Sequence, residues 1–321
     1  MDRREEDERN KNGSIKGQLF PSWPFDEDGA DELRQRIEGR FKDLEQLFER
    51  VATSGKRLKT LPKLPLPTLA IPYELAAIQS LRALHLTTGA AHLLDEANWA
   101  AAFPVLRALF ELWISVEYAE RSFRHLVVNK SRWGRYDEIA TRLLRGRTAA
   151  GLDPDESPPE EAAIIPIGQM LDLVANEIAS DSEAVAKAIR HHYAVLSDYT
   201  HPTIWSLVQS LEERPDGLGT IIHRDPQLRG VLGPLSDLDL LLGLTVDGLT
   251  RFEKTADEME DAFRRGPGTD PVAQAATRAF LESLAAANPS LPEREAELFA
   301  ERLESLLEHF QTQANQGHDH D

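Results

Sequence analysis

The chain contains no cysteine. That absence excludes disulfides, zinc–thiolate sites, cysteine-ligated iron–sulfur clusters and cysteine nucleophiles. Positive charge is scarce as well: 36 Lys and Arg stand against 54 Asp and Glu, a formal net charge of −18. A protein that coats nucleic acid or an anionic membrane over its whole surface needs the opposite balance, so only a local basic site is compatible with such partners. Long uninterrupted apolar runs are missing too. The most apolar late stretch, Val231 to Leu249, carries Asp237, Asp239 and Asp247 and makes a poor membrane span. The opening MDRREEDERNK has no apolar core, so no secretory signal is expected there. Neither an alternating strand pattern nor a repeat of fixed period is present. A P-loop, a dinucleotide glycine fingerprint and a G-x-S-x-G elbow are also lacking. These absences lead to the expectation of a cytoplasmic protein with no cofactor and no membrane partner.

What is there is helical periodicity, and the expected fold class is all-α: an antiparallel helical bundle with a C-terminal helical hairpin. Residues 1–30 are polar, charged and aperiodic and are expected to be disordered, with SWPF (Ser22 to Phe25) as a docking touch. The bundle is expected over 31–264, the hairpin over 271–313 and a disordered tail over 314–321. Within the bundle, apolar residues at helical spacing predict helices over 31–54, 72–97, 98–125, 131–145, 167–180 and 181–199. A last bundle helix is expected to begin at a Ser236 cap, with Asp237 and Asp239 in its first turn. One short extended piece is expected at 220–223. The hairpin, after the linker RRGPGTDP, is the candidate surface for a homodimer.

The stretch Asn98 to His125 stands out. Trp99, Phe103, Leu106, Phe110 and Trp113 form one apolar row, and Val105, Leu109, Leu112 and Val116 form a second. Two rows leave little surface for water, so this helix is expected to be buried on most sides, with Asn98 as its cap. Pro104 implies either a kink or a regular part that begins near Phe103. Yet Arg107, Glu111, Ser115 and Tyr118 fall on one stripe at steps of four, four and three. Such a stripe needs partners, because an unpaired buried charge is very costly. Tyr193, Ser197 and His201, at steps of four on a helix that must stop near Pro202, could supply them. Arginine, glutamate, serine, tyrosine and histidine gathered together can bind a phosphate or perform acid–base work. Equally, they can form a structural network that sets the register of two helices.

Two further features carry chemistry. Arg121 to Arg147 concentrates eight Lys or Arg against Asp137 and Glu138, with His125, Trp133 and Tyr136 interleaved. Arg124, Arg132, Trp133 and Arg135 are therefore candidates for RNA contact, the alternative being a solvated helix face paired with acids. His85, His92 and Glu96 share a helical stripe, but no H-E-x-x-H and no pair of E-x-x-H motifs accompanies them, and no metal is expected.

The segment AAHLLDEANWAAAFPVLRALFELWISVEYA, followed later by YAVLSDYTHPT, resembles a bacterial family known as a domain of unknown function. Its members carry an R-x-x-x-E pair on a buried helix and then a Y-x-x-x-S-x-x-x-H-P segment. Here these are Arg107 and Glu111, then Tyr193, Ser197, His201 and Pro202. The resemblance covers about Pro72 to Ser206 and brings no reaction with it. More distantly, it is similar to the HEPN group of helical domains, many of them toxin or defence ribonucleases. Those carry an arginine, four to six spacers and then a histidine; here Arg121 to His125 has three and Arg190 to His201 has ten. Two functions are therefore expected to compete. One is a binding or regulatory module whose polar seam is structural or holds a small anionic ligand. The other is a HEPN-like ribonuclease or nucleotide-handling enzyme. In that enzyme His201 and Glu111 would be the catalytic groups, and Arg107, Tyr193, Ser197 and Tyr118 would bind phosphate.

Overall fold

The computed structural model describes residues 19–21, 29–60, 70–96, 98–129, 139, 165–178, 183–200, 211–213, 220–222 and 232–265. Among them the fold is all-α. Six helices, α1 (Ala30–Thr60), α2 (Ile71–Asp95), α3 (Trp99–Val128), α4 (Ile167–Ile178), α5 (Glu183–Thr200) and α6 (Leu232–Arg265), form a bundle. Two three-residue strands, β1 (Leu211–Glu213) and β2 (Thr220–Ile222), pair antiparallel with Leu211 opposite Ile222. The expected helix over 131–145 and the hairpin over 271–313 lie outside the described residues.

The expected central helix is α3, which packs against α2, α4, α5 and α6. Its apolar rows place Leu106, Leu109, Phe110, Leu112, Trp113 and Val116 in the core. Asn98 caps it by accepting from Ala101 N at 3.3 Å. Pro104 does not delay its start, which is at Trp99. The ring sits inside a continuous helix on an exposed face, where the carbonyl deprived of an amide partner can reach water.

Helices consecutive along the chain run antiparallel where their contacts fix the direction. Gln79 of α2 meets Ser115 of α3, and Gly89 faces Val105. The last helix differs, because it runs parallel to both α1 and α3. On α1, Arg36, Arg50 and Arg57 bond Asp239, Glu253 and Glu260 of α6 at 3.1, 2.9 and 2.7 Å, each pair 203 residues apart. On α3, Glu117 and Glu120 meet Arg251 and Thr255. Gly248 allows this approach: a Cβ there would lie 3.0 Å from Val116 Cγ1 and 3.1 Å from Glu117 Oε1.

Two expectations need correction. The first concerns a short part of the stretch expected to be disordered: Leu19 and Phe20 are buried in the core, 8% and 3% exposed, because two adjacent apolar side chains gain more against the bundle than in water, while 1–18 and 22–28, with the SWPF docking touch, lie outside the described residues. The second is the Ser236 cap. Helix α6 begins at Leu232, and Pro234 suits its first turn. Asp239 therefore lies well inside the helix, where Arg36 and Arg40 neutralise it.

Candidate functional site

The polar stripe of α3 divides among three neighbours. Arg107 and Glu111 face α5. Arg107 Nε donates to Glu111 Oε1 at 3.1 Å, Arg107 Nη2 donates to Tyr193 Oη at 3.3 Å, and Tyr193 Oη donates to Glu111 Oε1 at 3.2 Å. The three close a triangle whose charged side chains are partly shielded, 21% exposed for Arg107 and 34% for Glu111. Burial alone would weaken the Arg107 charge. Its hydrogen bonds to Tyr193 and Glu111, and the charge of Glu111, outweigh that and raise its pKa. The guanidinium also lies 5.4 Å from the centre of the Tyr193 ring.

The other members meet different neighbours: two steps of four carry Ser115 about 80° around the axis from Arg107, and Tyr118, back within about 20°, lies about three turns further along the helix. Ser115 accepts from Gln79 of α2 at 3.3 Å. Tyr118 lines a cleft against α4. Ser197 donates to its own helix at Tyr193 O, 2.8 Å away, and forms no bridge to α3. His201 and Pro202 lie outside the described residues, as do Arg132, Trp133 and Arg135. Of the candidate site, the structure thus joins Arg107, Glu111 and Tyr193, and separates Ser115, Tyr118 and Ser197 from them.

Aromatic packing holds α5 in place beside this triangle. Phe103 stacks on Tyr199 with centroids 4.3 Å apart, and Phe110 meets His192 and Tyr193 at 5.7 and 5.5 Å. His192 was not a sequence candidate. Its Nε2 is buried without a hydrogen bond, 3.7 Å from Asp237 Oδ1 of α6. Burial raises the Asp237 carboxyl above its ordinary 3.8, and the charge of His192 opposes that rise. A carboxyl raised on folding stabilises the protein while it is protonated, below 3.8, and that contribution is lost as pH climbs through the folded value. Asp237→Asn is therefore expected to melt at a higher temperature than the wild type near neutral pH. The advantage should vanish in melts recorded at successively lower pH, and a constant difference at all pH would contradict this assignment.

Sequence reasoning also missed the most buried acids of α3. Glu117 and Glu120 are 2% and 3% exposed. Glu117 accepts from Trp113 Nε1 at 3.2 Å, pairs with Arg251 and lies 3.5 Å from Arg121 Nη2. Glu120 pairs with Arg124 and accepts from Thr255 Oγ1 at 2.9 Å. A third buried acid, Glu260, is 6% exposed and shares Tyr73 with Asp257. The Tyr73 phenol, buried and donating between two carboxylates, is held protonated far above its usual range. Glu260 also pairs with Arg57, and for that contact the sequence held a signal: Arg36, Arg50 and Arg57 repeat with the same steps of fourteen and seven as Asp239, Glu253 and Glu260.

Among the described residues a cleft of about 370 Å³ lies between the C-terminal half of α3 and α4. Arg121, Arg124 and His125 bring the start of the basic run to its wall, Val128 and Leu173 supply apolar surface, and Glu177 is among the lining residues. No group of three or more His, Asp or Glu able to hold a metal occurs among the described residues. His92 and Glu96 form only an exposed pair at 3.3 Å. No described helix is long and apolar enough to cross a membrane. Compared with protein families, curated proteins and solved structures, the chain matches none.

Proposed function

We propose that this protein is a binding or regulatory module. The Arg107–Glu111–Tyr193 triangle is a clasp that seats α5 on the bundle, and the cleft between α3 and α4 takes up a small anionic ligand. One observation carries the reading: the Arg107 guanidinium and the Tyr193 hydroxyl both donate to Glu111, so the arginine that would clamp a phosphate is already neutralised by a carboxylate of its own helix. The cleft supports the binding half of the proposal, since sites for small molecules are concave, largely apolar and furnished with a few polar groups.

A clasp makes a specific demand. Tyr193→Phe removes one half-buried hydroxyl and is expected to lower stability by about 1 kcal/mol in a urea titration. It should change no catalytic rate. The rival reading, a HEPN-like ribonuclease with His201 and Glu111 as catalytic groups, demands that the full chain cleave RNA and that His201→Ala abolish cleavage at unchanged melting temperature. We expect RNA to survive incubation with both proteins. Cleavage by the wild type that is lost in His201→Ala would overturn the module reading.

A further inference from the structure

We propose that the α3–α4 cleft recognises an amphipathic monocarboxylate, and that Glu177 occupies the place of the ligand's carboxylate when the cleft is empty. This rests on the binding-module reading above and adds the class of ligand. Arg121 is the centre of the argument. Its Nη2 lies 3.5 Å from the buried Glu117, while Nη1 donates outward to Glu177 Oε2 at 2.7 Å. Its Nε is buried and has no acceptor, so the guanidinium is under-satisfied despite two acidic neighbours.

The two acids differ in kind. Glu117 is also held by Arg251 and by Trp113 and is 2% exposed, so it is fixed. Glu177 is 56% exposed and belongs to α4, and exposed pairs of that kind are weak. A carboxylate entering from solvent can therefore replace Glu177 on Nη1 with the same charge and the same planar geometry. Arg124 and His125 stand on the same wall and add donors.

The rest of the cleft selects for an apolar body. Val128 and Leu173, both lining it, present 79% and 48% of their surface without cover. A volume of about 370 Å³ accepts a chain or ring of modest size. A polyanion fits poorly. Arg121, Arg124 and Arg251 are matched by Glu117, Glu120 and Glu177, so displacing Glu177 exposes one unit of positive charge and no more.

The test is isothermal titration of the full chain with octanoate, with acetate as the head alone and octan-1-ol as the body alone. Octanoate is expected to bind, and each control to bind at least tenfold more weakly. Glu177→Gln removes the competitor and should tighten octanoate about three- to fivefold, the range an exposed pair allows. Leu173→Asp should weaken it more than tenfold. Both positions are exposed on α4, and if Leu173→Asp fails to fold, the Glu177→Gln comparison decides alone. Equal binding of octanoate and octan-1-ol, no tightening in Glu177→Gln, or no binding at 10 mM octanoate would each overturn the proposal. Those failures, with RNA left intact, remove the ligand class alone; His201-dependent RNA cleavage removes the module reading itself.

Discussion

Phe110→Ala is expected to lower the unfolding free energy by about 3–5 kcal/mol, the range for truncating a buried phenylalanine. Phe110 is 2% exposed and touches three aromatic rings: Trp113 edge-on at 5.3 Å, His192 at 5.7 Å and Tyr193 at 5.5 Å. Removing the ring forfeits its burial and leaves a cavity between α3 and α5 that stiff aromatic neighbours cannot collapse to fill. The aromatic pairs add about 0.5–1.5 kcal/mol each beyond area. The consequence reaches the clasp, because Tyr193 lies against Phe110 on one side and bonds Arg107 and Glu111 on the other. Phe110→Ala and Tyr193→Phe should therefore be non-additive in urea unfolding followed by circular dichroism. A loss below about 1.5 kcal/mol, or strict additivity, would show that α5 is seated by other contacts.

The second large effect concerns a charge. Arg251→Met strips the principal cation from Glu117, an acid 2% exposed between α3 and α6. Breaking a buried pair from the side of the exposed partner leaves an uncompensated buried charge, which costs about 3–5 kcal/mol. Arg121 at 3.5 Å and the Trp113 indole at 3.2 Å remain, so the lower end, about 3 kcal/mol, is expected. The reverse change is milder. Glu117→Gln leaves Arg251 and Arg121, 46% and 29% exposed, free to turn towards water, and should cost about 1–2 kcal/mol. The double variant should cost less than the sum of the two. An Arg251→Met loss within the ±0.5 kcal/mol of an ordinary surface change would refute the pairing.

Much of the candidate site was legible before any coordinates. Arg107 and Glu111 are one turn apart on a helix that is apolar on both other faces, so they had to seek partners, and Tyr193 opens the next polar stripe at helical spacing. Ser115, Tyr118 and Ser197 were misplaced for a geometric reason. Ser115 lies about 80° around the axis from Arg107 and reaches α2, Tyr118 keeps within about 20° of Arg107 but sits about three turns further along α3 beside α4, and Ser197 donates to the carbonyl one turn back on its own helix. Glu117 and Glu120 were overlooked because nothing local marks them. Their cations and hydroxyl donor include Arg251 and Thr255, on a helix more than 130 residues later in the chain.

By itself the amino-acid order determined that the six described helical segments are helices, that α3 is buried on most sides, and which chemistries are excluded by the absence of cysteine. These depend on periodicity and composition, which act over a few turns. Only the tertiary structure decided that α6 runs parallel to α1 and α3, and that Gly248 lets Glu117 approach Arg251. It also decided that the cleft forms between α3 and α4. Those outcomes depend on which helix faces meet, and a helix of given amphipathicity can satisfy its apolar stripe against several partners. The steric fit and the charges at each contact select among them.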